Sequence, residues 1–332
     1  MSTLDTDEMS RRFREAGADI PNRRLLITRF PGTDQEADLT EPPNCGGLGR
    51  IRHFKRARSS NWPENPLPID PAAAFLGVDA GAELRAQVFQ NAICNWRCWY
   101  CFVPFDLLRA NRDHSAMVSC ADLLDAYQAE ESPPPVIDLT GGQPDLIPEW
   151  VPWMMEELRR RGLEGKVFLW SDDNLSKDYL WRFLSEEQLG LMASFSGYGR
   201  VACFKGYDAG SFHFNTLAEP ELFNQQFELA ARLLTLGVDN YFYATFTSPD
   251  ISTLDSDMPR FVDRLQSIHP NLPLRLVPLE IQLFTPVHAR MKDLQRQAFE
   301  NQYRVVDSWS RELDMRFPSG QRSPGITSVS LG

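Results

Sequence analysis

Three of the six cysteines in this 332-residue chain crowd into one short stretch, Asn91-Ala-Ile-Cys94-Asn-Trp-Arg-Cys98-Trp-Tyr-Cys101-Phe. The spacing is Cys-x3-Cys-x2-Cys. Thiolates are the expected ligands of iron–sulfur iron, and three from one tight loop can wrap one face of a cubane [4Fe–4S] cluster. The fourth iron then has no protein ligand, which is what inner-sphere binding of a substrate or co-substrate needs. A purely structural cluster wants a fourth cysteine, and Cys45, Cys120 and Cys203 lie far apart in unlike contexts. Cys120 opens an apolar helix pattern, where a small core residue is the ordinary role. The competing reading of the triplet is a Cys3His zinc site completed by His114.

A second chemical feature is basic. Residues 50–58 read RIRHFKRAR in a chain whose formal net charge is −11. The ordinary reading is a solvated basic loop. The sharper one is a clamp for phosphate or another anionic group, with Arg50 and Arg52 in it. The acidic balance of the whole chain argues against nucleic acid or a membrane surface as partner. No apolar run approaches the ~18–20 residues of a membrane span, and the first twenty residues hold no apolar segment of the secretory kind. A cytoplasmic, reducing location is expected, with the cysteines as thiols or metal ligands rather than disulfides.

The elements that must position these groups follow from periodicity. Hydrophobic residues make up 42% of the chain, enough for a sizeable core. Residues 1–20 are polar and expected to be mobile. Residues 21–80 hold one short strand, Leu25 to Ile27, followed by Gly- and Pro-rich chain that reads as an irregular wrap. From about 85 onward, strand patterns at 86–93, 135–140, 166–172, 199–205, 240–247 and 274–283 alternate with helix patterns at 119–130, 147–162, 176–187, 218–237 and 257–268. A last helix is expected at 291–313, and the tail from Pro318 reads as loop or disorder. Six β/α units in a row mean a parallel sheet. The division expected is an N-terminal extension (1–84), a core (85–290) and a C-terminal helix with a flexible tail (291–332). Several strands are polar on one alternate set: Asp138 and Thr140; Cys203 and Lys205; Tyr241, Tyr243, Thr245 and Thr247; Glu280 and Gln282. A partly open barrel lining a ligand cavity accounts for this, whereas a flat doubly wound sheet does not.

The triplet, with Tyr100 before its last cysteine, resembles the signature of the radical S-adenosylmethionine superfamily. The second strand ends in Leu139-Thr-Gly141-Gly142-Gln143-Pro144, similar to that family's Gly-Gly-Glu-Pro, with Gln143 in place of Glu. Weaker similarities are Asp172 and Asn174 after the third strand, and Lys205 after the fourth. There the activating-enzyme branch carries Asp-x-Lys and this chain carries Cys203-Phe-Lys205. The resemblance implies a single-cluster α/β protein with a partial (β/α)6 barrel, whose cluster sits on Cys94, Cys98 and Cys101. It implies S-adenosylmethionine held by Gly141, Gly142, Gln143, Asp172, Asn174, Lys205 and Tyr100, and an electron donor such as flavodoxin or ferredoxin. The expected chemistry is reductive cleavage of S-adenosylmethionine and hydrogen abstraction from a small, polar or anionic molecule. Tyr243, Glu280, Gln282, Arg290, Arg50 and Arg52 are the substrate-side candidates. The alternatives are an activase making a glycyl radical on a partner protein, an enzyme modifying a ribosomal peptide, and a non-catalytic iron–sulfur or zinc module.

Overall fold

The computed structural model describes residues 3–331. Ten strands form: β1 (Ala18–Asp19), β2 (Arg24–Thr28), β3 (Gly49–Lys55), β4 (Glu83–Gln90), β5 (Ser115–Ser119), β6 (Val136–Thr140), β7 (Phe168–Asp173), β8 (Tyr198–Phe204), β9 (Asp239–Ala244) and β10 (Leu276–Pro278). Seven of them make one curled sheet in the order β10-β9-β8-β7-β6-β4-β3. Every neighbouring pair from β4 to β10 is parallel, with helices between the strands, so the architecture is the expected partial (β/α)6 barrel. A small antiparallel sheet, β1-β2-β5, lies beside it.

Parallel strands need helical crossovers, and the local sequence supplies their starts. Ser119 caps helix Cys120–Ala129 in a reciprocal box with Asp122, and Asp208 caps helix Ala209–Thr216 in the same way with Ser211. Helix Leu222–Leu234 buries Phe223, Phe227, Ala230 and Leu233 at helical spacing against the outer face of the sheet. The expected helix 176–187 is two, Tyr179–Phe183 and Glu186–Ser194, because Ser185 begins a new cap. The expected last helix is preceded by a short one, Thr285–Arg290, and runs Asp293–Arg316.

Four expectations are corrected. Residues 1 and 2 lie outside the described residues, and residues 3–20 are not loose: Thr6–Gly17 is a helix capped by Asp5, which buries Thr6, Ser10, Phe13 and Gly17 on one narrow face of an otherwise charged segment. The basic run is not a loop. It forms most of β3, paired antiparallel with β4 from Gly49↔Phe89 to Lys55↔Glu83, so part of the expected extension is the seventh strand of the barrel sheet. The strand read at 274–283 stops at Pro278, after which a single backbone bond from Leu279 to Ala244 (2.9 Å) continues the pairing. The tail is docked: Ile326 and Val329 are buried, and Arg275 Nε donates to the Val329 carbonyl at 2.7 Å.

The inside of the barrel is stratified by the two-residue period of its strands. Phe54, Val136, Trp170, Val201, Tyr241 and Val277 meet in one apolar cluster with Leu67, with Ile69 and Ala72 of helix Ile69–Leu76, and with Ile326. That cluster is the floor. Two residues up each strand stand Arg52, Asp138, Asp172, Cys203, Tyr243 and Leu279. Two further up stand Arg50, Thr140, Asn174, Lys205, Thr245 and Ile281. Tyr241, expected on a wetted wall, is instead part of the floor, its hydroxyl donating to Asp239 at 2.6 Å.

Candidate active site

Above the floor lies a cavity of about 720 Å³. Its walls include Arg50, Arg52, Cys94, Cys98, Tyr100, Cys101, Gly141, Gly142, Gln143, Asp172, Asn174, Lys205, Tyr243, Glu280 and Gln282, fifteen of the sixteen expected site residues. Arg290 is the exception. Its guanidinium donates to the carbonyls of Cys101 (2.5 Å) and Val103 (2.8 Å) and lies 3.6 Å over the Phe105 ring. It clamps the end of the cysteine loop.

The cysteine loop is held from several sides. Cys94 N donates to Leu108 O (3.1 Å), Cys101 N to Cys98 O (3.0 Å), and Arg97 N and Trp99 N to Thr216 O and Asn215 O. Within the triplet, Arg97 turns its guanidinium onto the carbonyls of Cys94 (2.7 Å) and Trp96 (2.8 Å). The N-terminal helix braces the same loop: Trp96 Nε1 donates to Thr6 Oγ1, and Asn95 Nδ2 donates to Ser10 Oγ and Ser176 Oγ. Tyr100 donates to Thr245 Oγ1 at 3.0 Å.

Gly141 and Gly142 are required by close approach. Gly141 adopts φ +100°, and at Gly142 an added Cβ would stand 1.9 Å from the Ile93 carbonyl oxygen. The turn after β6 is pressed onto the loop that leads into Cys94, and Gln143 N donates to Ile93 O at 2.8 Å. The Gln143 amide is fully used: Nε2 donates to Asp173 Oδ1 (2.7 Å) and Oε1 accepts from Asn174 N (2.9 Å). This gives a physical reason for Gln in place of Glu, since a carboxylate here would face Asp173. Asp173 is already tied to Arg200 at 3.0 Å, and Arg200 also pairs with Asp145.

The wall electrostatics are set by burial. Burial raises the Cys98 thiol to about 12, with Lys205 the main opposing influence. It raises Cys94 as well, against Arg97. Lys205 is held above its ordinary value: burial disfavours its charge, and the sulfurs of Cys203, Cys98 and Cys94 outweigh that. Burial, reinforced by Asp172, pushes Asp138 well above the usual carboxylate range. Asp172 is raised too, although it accepts a hydrogen bond from Thr140. Tyr243 OH accepts from Asn65 Nδ2 at 3.1 Å. At the mouth, Arg58 donates to Gln282 (3.0 Å) and Ser59 to Glu280 (2.7 Å). Asn65 and Arg97 were not singled out from sequence, whereas Arg58 closes the basic run read there. Arg97 could have been, because it stands inside the triplet.

A [4Fe–4S] cluster fits these residues. The donor set is all thiol, comes from one loop and faces one cavity beside a glycine turn that leaves no room for a side chain. Among the described residues, no group of three or more His, Cys, Asp or Glu side chains is arranged to hold a single metal ion. His114 is not among the cavity residues.

Fold and site together define a partial (β/α)6 barrel with a three-thiol loop at the mouth of a charged lumen. Comparison with solved structures finds Streptococcus suis SuiB bound to S-adenosylmethionine, at TM-score 0.43 and 15% identity over 67% of this chain and 46% of that one. SuiB bound to precursor peptide SuiA (TM-score 0.37, 14% identity) and SuiB alone (0.37, 15%) each match over 55% of this chain and 36% of theirs. The chain thus spans less than half the length of the solved chains it matches. No protein family and no curated protein matches the sequence. Among the described residues, no helix is long and apolar enough to cross a membrane.

Proposed function

We propose that this protein is a single-cluster radical S-adenosylmethionine enzyme acting on a small, polar or anionic molecule bound in the barrel lumen. The observation that carries the reading is that Cys94, Cys98 and Cys101 and the Gly141–Gly142 turn face one cavity whose deeper wall is charged. Cys94, Cys98 and Cys101 would hold the [4Fe–4S] cluster. When bound, the cluster supplies the electron that cleaves S-adenosylmethionine to methionine and a 5′-deoxyadenosyl radical. The chain's own residues have separate tasks. The glycine turn offers backbone polar groups at close range for the methionine amino group. Lys205, beside Cys98, is placed to pair with the methionine carboxylate. Asp172 and Asn174 stand where ribose hydroxyls or the amino group can be bound. Tyr243 and the basic β3 residues Arg50 and Arg52 line the same cavity above the apolar floor.

The test is anaerobic reconstitution with iron and sulfide. The reconstituted protein is expected to be brown and, on reduction with dithionite or a flavodoxin-type donor, to convert S-adenosylmethionine to 5′-deoxyadenosine. A colourless protein carrying one zinc on the same cysteines would overturn the proposal.

A further inference from the structure

Arg50 is 6% exposed, and its Nε and Nη2 have no hydrogen-bond partner. Its neighbour on the same face of β3, Arg52, stands 3.7 Å from Asp138, outside hydrogen-bond distance. Both carboxylate oxygens of Asp138 are themselves buried without a hydrogen bond. A buried guanidinium with idle donors is costly and is normally paired. The acids that could pair it are poor counterions here. Asp138 and Asp172 are both held above the ordinary carboxylate range by burial, and Asp172 is engaged with Thr140. Packing also fixes the arginines: Arg50 lies 5.4 Å over the Phe102 ring and Arg52 lies 4.0 Å over Phe54. Arg50 therefore presents idle donors to the cavity from a rigid strand, and Arg52 beside it carries a long ion pair to Asp138, an acid that burial makes a poor counterion.

We infer that Arg50 and Arg52 form an oxyanion subsite that seats a carboxylate or phosphate group of the substrate against β3, across the lumen from Lys205. This inference rests on the proposed function for calling the ligand a substrate, though the anion site itself does not. Two guanidiniums in register along one strand suit the forked geometry of either oxyanion.

The test uses the anaerobically reconstituted full chain in phosphate-free buffer, with inorganic phosphate and succinate as probes, read by calorimetry and thermal unfolding. At least one probe is expected to bind and to raise Tm by about 2 °C at tenfold its Kd. Response to phosphate alone assigns a phosphoryl group, and response to succinate alone assigns a carboxylate. Arg50→Met and Arg52→Met are expected to weaken binding at least tenfold. Arg50→Met without ligand is expected to be no less stable than the parent, because it removes an unsatisfied buried charge. Arg50→Lys keeps the charge and should retain partial binding. Failure of both probes to bind the parent protein overturns the inference, as does binding that survives both Met variants. Displacement of the anion by S-adenosylmethionine also overturns it, since the pair would then serve the cofactor. Anion binding without S-adenosylmethionine cleavage would leave the subsite standing and remove the proposed function.

Discussion

Gly142→Ala is the perturbation with the most direct reading. An added methyl would stand 1.9 Å from Ile93 O and 2.8 Å from Asn91 O, both backbone atoms that no rotamer change can move. Normal contact is above 3 Å, so the turn and the cysteine loop must part by more than about 1 Å. That separation breaks the Gln143 N to Ile93 O bond (2.8 Å) and strains the Asn91 Nδ2 to Gln143 O bond (3.1 Å). Two buried polar pairs broken or weakened, at roughly 1–3 kcal/mol each, give a destabilisation of about 2–6 kcal/mol. With an unfolding entropy of ~2.1 cal/mol/K per residue, a chain of this length loses about 1.4 °C per kcal/mol, so Tm should fall by about 3–8 °C. The moved segment leads into Cys94, so iron per chain after reconstitution should fall as well. The control is Gly162→Ala: Gly162 has φ +65° and nothing within 4 Å of an added Cβ, so only backbone strain of about 1 kcal/mol is expected, with full iron. Unfolding scans and iron analysis on the two variants decide the matter. A Gly142→Ala protein with parental Tm and full iron would refute the close-approach argument.

Three further outcomes are expected. Lys205→Ala should keep its iron and bind S-adenosylmethionine about ten- to a hundredfold more weakly, the worth of one charge-assisted hydrogen bond; titration calorimetry checks this, and unchanged affinity removes Lys205 from the cofactor. Iron should be about four per chain, retained in single Ala variants of Cys45, Cys120 and Cys203 and lost or labile in variants of Cys94, Cys98 or Cys101; about eight irons in the parent would reveal a second cluster. His53 lies between Glu83 (2.5 Å) and Glu41 (2.7 Å), which hold its pKa above the ordinary value, Glu83 most strongly. Its contribution is therefore full below the unfolded pKa of about 6.5 and fades as pH rises through the raised folded value. Tm of the parent relative to His53→Gln should drop between those limits, by on the order of 1 °C because both glutamates are partly solvent-screened; a pH-independent difference would refute the pairing.

The sequence was most legible where one period dominated. Six apolar runs placed β4 and β6–β10 because strands buried in an α/β sheet are nearly continuous in hydrophobicity, and the polar alternates on four of them announced a lumen. Cys94, Cys98, Cys101, Gly141 and Gly142 were legible because their geometry is local. β3 was hidden by its composition: alternation of Arg50, Arg52 and Phe54 with Ile51, His53 and Lys55 puts two arginines on the inward face, which departs from the usual polar-outside pattern. Helix Thr6–Gly17 was obscured because Phe13 is its one fully buried large apolar residue, while Thr6 and Ser10 anchor it through hydroxyls and Arg14 through an ion pair with Glu149. The clamp that Arg290 makes on the cysteine loop was not legible because its partners are carbonyls 187 and 189 residues away, and backbone acceptors leave no trace in side-chain patterns.

The closed floor of the barrel has a consequence for traffic. Trp170, Tyr241, Phe54 and Ile326 seal the lower end, and the cysteine loop with its glycine turn stands near the other. Exchange with solvent therefore runs past the cysteine loop, and Arg50 and Arg52 stand level with Asn174, Lys205 and Asp172 rather than behind them. Under the proposed function, substrate and S-adenosylmethionine would lie side by side in a blind-ended pocket and share the entrance opposite the floor.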